Sequence, residues 1–398
     1  MINKIKALAA SLQPELLRIR HHIHAHPELS FREYETAGFI AAELDKIDIS
    51  YEKGVAGTGV IAIITGKNPE KRCIALRADM DALPIQEANE TSYRSRNDGV
   101  MHACGHDVHS TCLLGVASIL HNLRDNFEGT FKLIFQPGEE MHPGGASLLI
   151  KAGVLENPRP DAILALHVYP HLPVGTAGFR EGQYMASSDE IHITINGKGG
   201  HAALPHQTVD PIVIAAQVIT ALQQVVSRKN NPLMPTVLSF GKIAGGNATN
   251  VIPDSVEILG TLRTFDEQWR KEACTLIRKA TEQIADAFGA EAIVNIPEGG
   301  YPSLFNDPEL TRNAFEFAGE YLGTDNIKKL DLRMAAEDFS FYTHHTKGCF
   351  FRIGTNRDNE YFTAPVHNAH FDIDEEALQT GTGLMSWIAL NIMEKFAV

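Results

Sequence analysis

Three short segments of the sequence combine Cys, His, Asp or Glu side chains at spacings that suit metal chemistry. The segment MHACGHDVHS carries Cys104 and His106 two residues apart, with Asp107 directly after His106. Alone, it fits a metal site, a redox thiol or a helix start that happens to be rich in histidine. The redox interpretation is the weakest, because Cys104 has no CxxC partner and Cys112 falls further along a predicted helix.

The other two segments add pairs of carboxylates. In RADMDALP, Asp79 and Asp81 stand two residues apart, so both side chains face the same way in an extended stretch. In QPGEE, a Pro-Gly turn comes before Glu139 and Glu140. Taken alone, each pair of carboxylates would more often belong to a loop, a helix cap or a solvated helix start than to a metal site. Their interpretation therefore depends on which elements position them.

Each segment lies at the end of a predicted strand or the start of a predicted helix. The apolar runs GVIAIIT, RCIALR, FKLIF and AILALH are predicted to be buried strands, and residues 110–123 are predicted to be a helix. Strand–helix alternation indicates an α/β layer with a largely parallel sheet. Binding sites in such sheets form where the strands end. We expect the polar side chains to meet there, with His167 ending the fourth run and His367 in a late loop.

These positions together supply one thiolate, three imidazoles and one carboxylate, a set that suits Zn²⁺ or another first-row divalent metal. The candidate ligands are Cys104, His106, Glu140, His167 and His367. Five ligands exceed a single tetrahedral site and suit two close metals that share one ligand. A histidine after an apolar strand is more often a buried hydrogen-bonded residue. The combination of the five at strand ends favours the metal site.

Residues 186–297 have a different pattern, β-α-β-β-α-β, which predicts a small ferredoxin-like insert. We therefore expect one discontinuous main domain, residues 1–185 and 298–398, with residues 186–297 inserted as a second domain. Within the insert, NGKGGHAALPH places His201 among glycines, where a backbone can approach a ligand closely. The alternative is a hairpin turn with a surface histidine.

Composition excludes several other classes of protein. The net charge of −14 and the lack of a basic run argue against nucleic-acid binding. No segment approaches the roughly 18 apolar residues of a membrane span, and the N-terminus is predicted to be an amphipathic helix and not a signal peptide. Five scattered cysteines fit a reducing compartment. The helix-borne His21, His22, His24 and His26 are expected to be structural, because no strand end brings them to the site.

The sequence resembles the M20 metallopeptidase family, and specifically its amidohydrolase branch of N-acyl-amino-acid, hippurate and auxin-conjugate hydrolases. The motifs that carry the resemblance run in family order over nearly the whole chain: RHHIHAHPELSFREYET, LRADMDALPI, MHACGHDVH, QPGEE, NGKGGHAALPH, NVIPD, GTLRTF, AAEDFSFY and APVHNAHFDIDE. One departure is Gly138, where relatives commonly have alanine. It leaves both following carboxylates in place.

The resemblance implies roles for the residues that match these motifs. It implies that two divalent metals are held by the five candidate ligands, with Cys104 as the bridge, and that Glu139 is the general base. It also implies that three carboxylates near the site orient the ligands, those of Asp79, Asp81 and Asp107. It assigns His201 to the oxyanion, from the same or the partner subunit, and Asn250 and Arg263 to the substrate's carboxylate.

The expected protein is thus a di-metal, exopeptidase-like α/β catalytic domain with an α+β lid that mediates a homodimer. We expect a cytoplasmic amidohydrolase that releases an amino acid from N-acyl or N-aroyl conjugates, using zinc, manganese, cobalt or nickel. The nearer alternative is a di- or aminopeptidase of the same family. A non-catalytic metal-binding protein is a third, which Glu139 disfavours because a pure binder does not need a second glutamate. We expect no nucleic-acid or membrane partner.

Overall fold

The computed structural model describes residues 1–356 and 364–395, and the chain divides into two compact units. The first unit comprises Met1–Tyr184, Phe305–Asp331 and Asp338–Val398, and the second comprises Met185–Leu304 and Leu332–Glu337. The second unit therefore includes a short segment, Leu332–Glu337, that lies outside the insert expected from the sequence. The lid and catalytic roles of the two parts stay predictions.

Both units combine helices with strands. In chain order, these elements begin with α1 (Ile2–Ala25), α2 (Tyr34–Lys46), β1 (Tyr51–Val55), β2 (Gly59–Thr65), β3 (Cys73–Asp79), α3 (His106–Asn122), β4 (Thr130–Gln136), α4 (Gly145–Lys151), β5 (Ala162–Pro173), β6 (Ala177–Phe179) and β7 (Gly182–Met185). They continue with β8 (Asp189–Asn196), β9 (Gly200–His201), α5 (Pro211–Gln224), β10 (Thr236–Ala244), β11 (Val251–Ile252), β12 (Ser255–Thr264), α6 (Glu267–Ala287) and β13 (Glu291–Asn295). They end with β14 (Leu304–Asn306), α7 (Pro308–Leu322), β15 (Ile327–Lys329), α8 (Ser340–Thr343), β16 (Lys347–Asn356) and α9 (Glu376–Lys395).

The first unit is built on a mixed sheet with the strand order β1-β2-β4-β3-β5-β16-β6-β15. Its centre, β4-β3-β5-β16, is parallel, whereas β1, β2 and β4 pair in antiparallel fashion. Every residue of β3 and β4 is buried, which explains their continuous apolar runs. Helices α1, α3, α7 and α9 pack against one another beside this sheet. The α/β fold with a largely parallel centre is confirmed.

Apart from the two-stranded β9–β11 ladder, the main elements of the second unit follow the order β8-α5-β10-β12-α6-β13, as expected for a ferredoxin-like arrangement. Its sheet has the order β10-β12-β8-β13, and all neighbours are antiparallel. Alternate residues of β8 are buried, and Ile191, Ile193 and Ile195 form its core with both helices. Each helix is preceded by a capping aspartate whose carboxylate accepts a main-chain N–H of the first turn, Asp210 for α5 and Asp266 for α6.

Two boundaries near the predicted site differ from the sequence-based ones. Helix α3 begins at His106 and not at Ser110, because Gly105 adopts a left-handed φ of 81° and its carbonyl accepts the N–H groups of Val108 and His109. His167 lies inside β5 and not at its end, since β5 continues along β16 past the last residue that pairs with β3. In the described residues, no helix combines the length and apolar character that spanning a membrane requires.

Candidate metal centre

The five candidate ligands lie together in the first unit, and they form two groups that share one sulfur. The ligating atoms of Cys104, His106 and His167 lie within 4.8 Å of one another. Those of Cys104, Glu140 and His367 satisfy the same limit. A thiolate common to both groups is the arrangement that two neighbouring metal ions with one bridging ligand require.

The two buried histidines of the first group each offer one ring nitrogen. Nδ1 of His106 donates to Oδ1 of Asp81 at 3.1 Å, and its buried Nε2 makes no hydrogen bond within the described parts of the chain. Nδ1 of His167 donates to the carbonyl of Val168 at 2.8 Å, and Nε2 lies 3.6 Å from Sγ of Cys104. Burial, with Arg352 nearby, holds the pKa of His167 well below its usual range, so the ring is neutral. Both histidines are thus oriented as metal ligands are.

The environment of the second group, Cys104, Glu140 and His367, favours a positive charge. Burial, with Glu140 beside it, raises the pKa of the Cys104 thiol. Hydrogen bonds to Cys104 and Glu140 raise the pKa of His367 to about 10, and Nε2 of His367 lies 3.1 Å from Oε1 of Glu140. A divalent cation would meet the same demand and keep the thiolate deprotonated. The residues present therefore fit a two-metal site.

Asp79 and Asp81 flank His106 but hold different partners. Asp81 also accepts hydrogen bonds from the Ser30 hydroxyl at 2.6 Å and from the Glu140 main-chain N–H at 2.9 Å. Oδ1 of Asp79 accepts a 2.5 Å hydrogen bond from Nδ1 of His109, and its Oδ2 lies 3.7 Å from Nε2 of His106. Both carboxylates are fully buried, so each acts on the candidate ligands in a water-poor setting.

Asp107 makes different contacts from those expected. Its Oδ2 accepts hydrogen bonds from Nε of Arg20 at 2.9 Å and Nδ1 of His24 at 2.8 Å. No hydrogen bond joins Asp107 to a candidate ligand in the described chain. The reason is the helical start at His106, because successive helical residues point in different directions.

Glu139 lies beside the ligands and is buried. Its carboxylate, that of Glu140 and a ring nitrogen of His106 lie within 4.8 Å of one another. The main-chain N–H of Asp338 donates to Oε1 of Glu139 at 3.5 Å. The turn before it is fixed by Glu33, whose Oε1 accepts the N–H of Gly138 at 2.8 Å.

Comparison with known proteins agrees with this geometry. A model described as peptidase family M20/M25/M40 matches residues 75–391. This chain belongs to the M20 family. The prediction made from the motifs, an M20 hydrolase of the amidohydrolase branch, is confirmed.

Similar M20 proteins cover nearly the whole chain. The N-acetyl-L-cysteine deacetylase of Bacillus subtilis is 42% identical over 376 residues, which are 93% of this chain and 86% of the relative. IAA-amino acid hydrolase ILR1-like 4 of Arabidopsis thaliana is 41% identical over 378 residues, which are 94% of this chain and 84% of the relative. The crystal structure of the Bacillus subtilis YXEP protein, a dinuclear metal binding peptidase of the M20 family, matches with a TM-score of 0.81 at 36% identity. It covers 97% of this chain and 100% of the other.

The remaining predicted site residues of this M20 protein lie in the second unit. His201 is paired with Val251 across the β9–β11 ladder, and the Asn250 carbonyl accepts the N–H of Ala202 at 3.0 Å. His201 and Asn250 are therefore neighbours, and both are exposed. Arg263 lies elsewhere, on β12, where its Nε donates to the Thr261 hydroxyl at 3.1 Å.

The three histidines of α1, and His26 directly after it, take structural positions. His21 stacks on Tyr93 with ring centroids 4.1 Å apart, and His22 stacks on Phe39 at 3.9 Å. His24 is buried against Asp107, and Nδ1 of His26 donates to the His22 carbonyl at 2.7 Å. Within the described ranges, none of the four belongs to a group of metal-ligating atoms.

Sequence reasoning missed two residues that organise the site. One is His109, which connects Asp79 to β5: its Nδ1 donates to Oδ1 of Asp79 at 2.5 Å, and its Nε2 accepts the Val168 N–H at 2.9 Å. Its position three residues after His106 in a helix was the available signal. Arg77 is the other: buried on β3, it donates to Asp79 at 2.6 Å and to Asp338 at 2.7 Å.

Proposed function

We propose that this protein is a two-metal amidohydrolase that cleaves the amide bond of N-acyl or N-aroyl amino acids. The products are a carboxylic acid and a free amino acid. The observation that carries the proposal is the pair of ligand groups that share Cys104, with the carboxylate of Glu139 buried beside them. The names of the deacetylase and the amino acid hydrolase among its relatives support the substrate class.

Two groups of residues would hold the metals. Cys104, His106 and His167 would bind one ion, and Cys104, Glu140 and His367 the other. Bound divalent metals polarise an amide carbonyl and lower the pKa of water toward neutrality. The mixed sulfur, nitrogen and oxygen set is compatible with Zn²⁺, Mn²⁺, Co²⁺ or Ni²⁺.

Glu139 would move the protons of the reaction. It takes a proton from the attacking water and later delivers it to the nitrogen of the leaving amine. The Asp338 N–H at 3.5 Å helps to orient this carboxylate. The two adjacent glutamates would have different roles, with Glu140 as a metal ligand and Glu139 as the general base.

The second unit would supply the contacts to the substrate and act as the lid. The Ala203 N–H donates to Nδ1 of His201 at 3.1 Å, so the ring proton of a neutral His201 sits on Nε2 as a hydrogen-bond donor. That donor suits the oxyanion that develops on the amide carbonyl. We assign the substrate's carboxylate to Asn250 and Arg263.

We further propose a homodimer formed through the second unit, in the cytoplasm. Helices α5 and α6 line an open apolar cavity of about 730 Å³, and Val213 and Phe288 on its rim are 54% and 55% exposed. A second copy of this surface would cover both side chains. Five free cysteines suit a reducing compartment. Sedimentation of the wild type beside Phe288→Glu tests the dimer, which only the wild type should form.

The test of the reaction is a panel of N-acetyl, N-benzoyl and indoleacetyl amino acids, assayed with each of the four metals in turn. Metal-dependent release of the amino acid from at least one conjugate is expected. No release from any conjugate with any metal would refute the substrate class. Glu139→Gln is the matched control, since a non-catalytic metal binder would show no difference between the two proteins.

A dipeptidase or aminopeptidase is the second candidate, favoured by the likeness to the YXEP protein, which is called a peptidase. Such an enzyme must accommodate a free α-amino group, whereas an N-acyl substrate has none. Dipeptides in the same panel distinguish the two. Faster cleavage of dipeptides than of every acyl conjugate would replace the proposed reaction with this one.

A further inference from the structure

Two of the segments that carry candidate ligands lie side by side in the first unit: the Cys104 segment, residues 103–107, and the His367 segment, residues 367–375. The N–H of His367 donates to the Ala103 carbonyl at 2.7 Å. Further along both segments, the Phe371 ring lies against Gly105, where an added Cβ would be 3.4 Å from Cζ of that ring. In the Cys104 segment, the contact residues Ala103 and Gly105 alternate with the candidate ligands Cys104 and His106.

Arg20, on α1, connects the two segments through Asp107 of one and Asp372 of the other. It is fully buried, and its Nε donates to Asp107 at 2.9 Å while Nη2 donates to Asp372 at 2.7 Å. Its Nη1 lies 3.4 Å from Oε1 of Glu375. The Tyr93 hydroxyl donates to the other oxygen of Asp372 at 2.8 Å, and the guanidinium lies over the Tyr93 ring at 4.7 Å. One residue of α1 therefore bridges carboxylates from both segments.

We propose that Arg20 is a positioning residue that sets the spacing between the Cys104 segment and the His367 segment, and thereby maintains the second metal position. The inference rests on the proposed two-metal site. Arg20 acts through Asp107 and Asp372 and makes no hydrogen bond to a candidate ligand within the described residues.

The effect of Arg20 should fall on one metal position more than on the other. His106 and His167 are oriented by Asp81 and by the Val168 carbonyl, neither of which Arg20 contacts. His367 depends on the neighbouring segment, because its own N–H is bonded to Ala103.

The imidazoles of His24 and His21 contact Asp107 and Glu375 whether or not Arg20 is present. Without the guanidinium, however, the carboxylates of Asp107, Asp372 and Glu375 would lose the cation that they share. Their repulsion would move the His367 segment away from the Cys104 segment. The loss should therefore be selective for the ion held by Glu140 and His367.

Two substitutions test the proposal, with a matched control. Arg20→Lys keeps the charge, but one ammonium group cannot reproduce a planar fork that reaches both segments. Asp372→Asn removes one bridge at a partly exposed side chain and guards against a failure of Arg20→Lys to fold. Arg18→Lys is the control, because Arg18 lies on the same helix, has a 41% exposed side chain and pairs with the exposed Glu15 and the buried Glu43, away from both segments.

The measurement is the number of zinc ions per chain and the affinity for each, by titration against a chromophoric chelator, with circular dichroism as the check on folding. We expect two ions in the wild type and in Arg18→Lys. In the folded Arg20→Lys and Asp372→Asn variants we expect one ion at wild-type affinity and a second bound at least tenfold more weakly. Unchanged binding of both ions, or equal weakening of both, would overturn the inference while the proposed function stands. A wild type that does not bind two ions would instead overturn the proposed function.

Discussion

Replacing Asp81 with asparagine should weaken metal binding and leave the fold in place. Asp81 is buried and accepts three hydrogen bonds, from His106 on Oδ1 and from the Ser30 hydroxyl and the Glu140 N–H on Oδ2. Burial alone would raise the pKa of Asp81, but the bonds from His106, Ser30 and Glu140 lower it overall. The group is therefore a carboxylate at neutral pH, and it holds two candidate ligands at once.

The size of the expected loss in zinc affinity follows from the geometry of these hydrogen bonds. An asparagine keeps one acceptor oxygen, which the two donors on the Oδ2 side would claim, so its NH₂ group would face Nδ1 of His106. The ring would then carry its proton on Nε2, the nitrogen that a metal needs. A hydrogen bond to a charged group contributes about 1.5–3 kcal/mol, and each 1.4 kcal/mol or so is tenfold in affinity. We expect zinc to bind roughly 10–100-fold more weakly.

The assay is a competitive zinc titration of wild type, Asp81→Asn and Asp98→Asn. Asp98 is exposed, so its variant controls for the loss of one negative charge. Urea unfolding of the metal-free proteins checks that the fold persists. A dissociation constant for Asp81→Asn within threefold of wild type would refute the reasoning that the carboxylate sets the tautomer of His106.

Three further outcomes are expected. Glu139→Gln should lower kcat by about 10²–10⁴-fold, as loss of a general base does, and metal analysis should still find both ions. His201→Ala should lower kcat by about 10²–10³-fold, as loss of an oxyanion donor does; a change confined to KM would contradict that role. Burial lowers the pKa of His102 from 6.5 to about 4, so the unfolded chain binds the proton more tightly. The contribution of neutral His102 to the free energy of unfolding is fully present above pH 6.5 and should be lost, by about 3 kcal/mol, as the pH drops through 4. Urea unfolding of the metal-free His102→Gln variant should lack this part of the pH dependence.

The part of the site that follows strands could be predicted from the sequence. Asp79 ends β3 and Asp81 comes two residues later, while Glu139 and Glu140 follow the end of β4. The continuous apolar runs of these strands are a local signal of burial in a parallel sheet, and the sheet itself brings the strand ends together. The grouping of these four carboxylates could therefore be predicted without knowledge of any distance, whereas their roles stay predictions.

The part that depends on tertiary contacts could not be predicted. The bond between Arg20 and Asp107 joins residues 87 positions apart, and no local pattern encodes it. The direction of Asp107 depends on the start of α3, which lies four residues before the predicted start at Ser110 because Gly105 caps the helix. His167 is predicted to end a strand, but β5 continues through Val168 and Tyr169 to Pro173, because this stretch pairs with β16, which lies far away in the sequence.

The departure at Gly138 shows how a single residue of a motif can depend on a distant one. Gly138 has a left-handed φ of 61°, and an added Cβ would lie 2.2 Å from Cε1 of Phe31, whose own φ is 65°. Glu33 accepts the N–H groups of both residues, which fixes the two backbones relative to each other. An alanine at this position would require the Phe31 ring to move and would add about 1 kcal/mol or more of backbone strain. The turn that presents Glu139 is therefore determined jointly by the QPGEE and LSFRE segments, and the glycine is a consequence of where the phenylalanine lies.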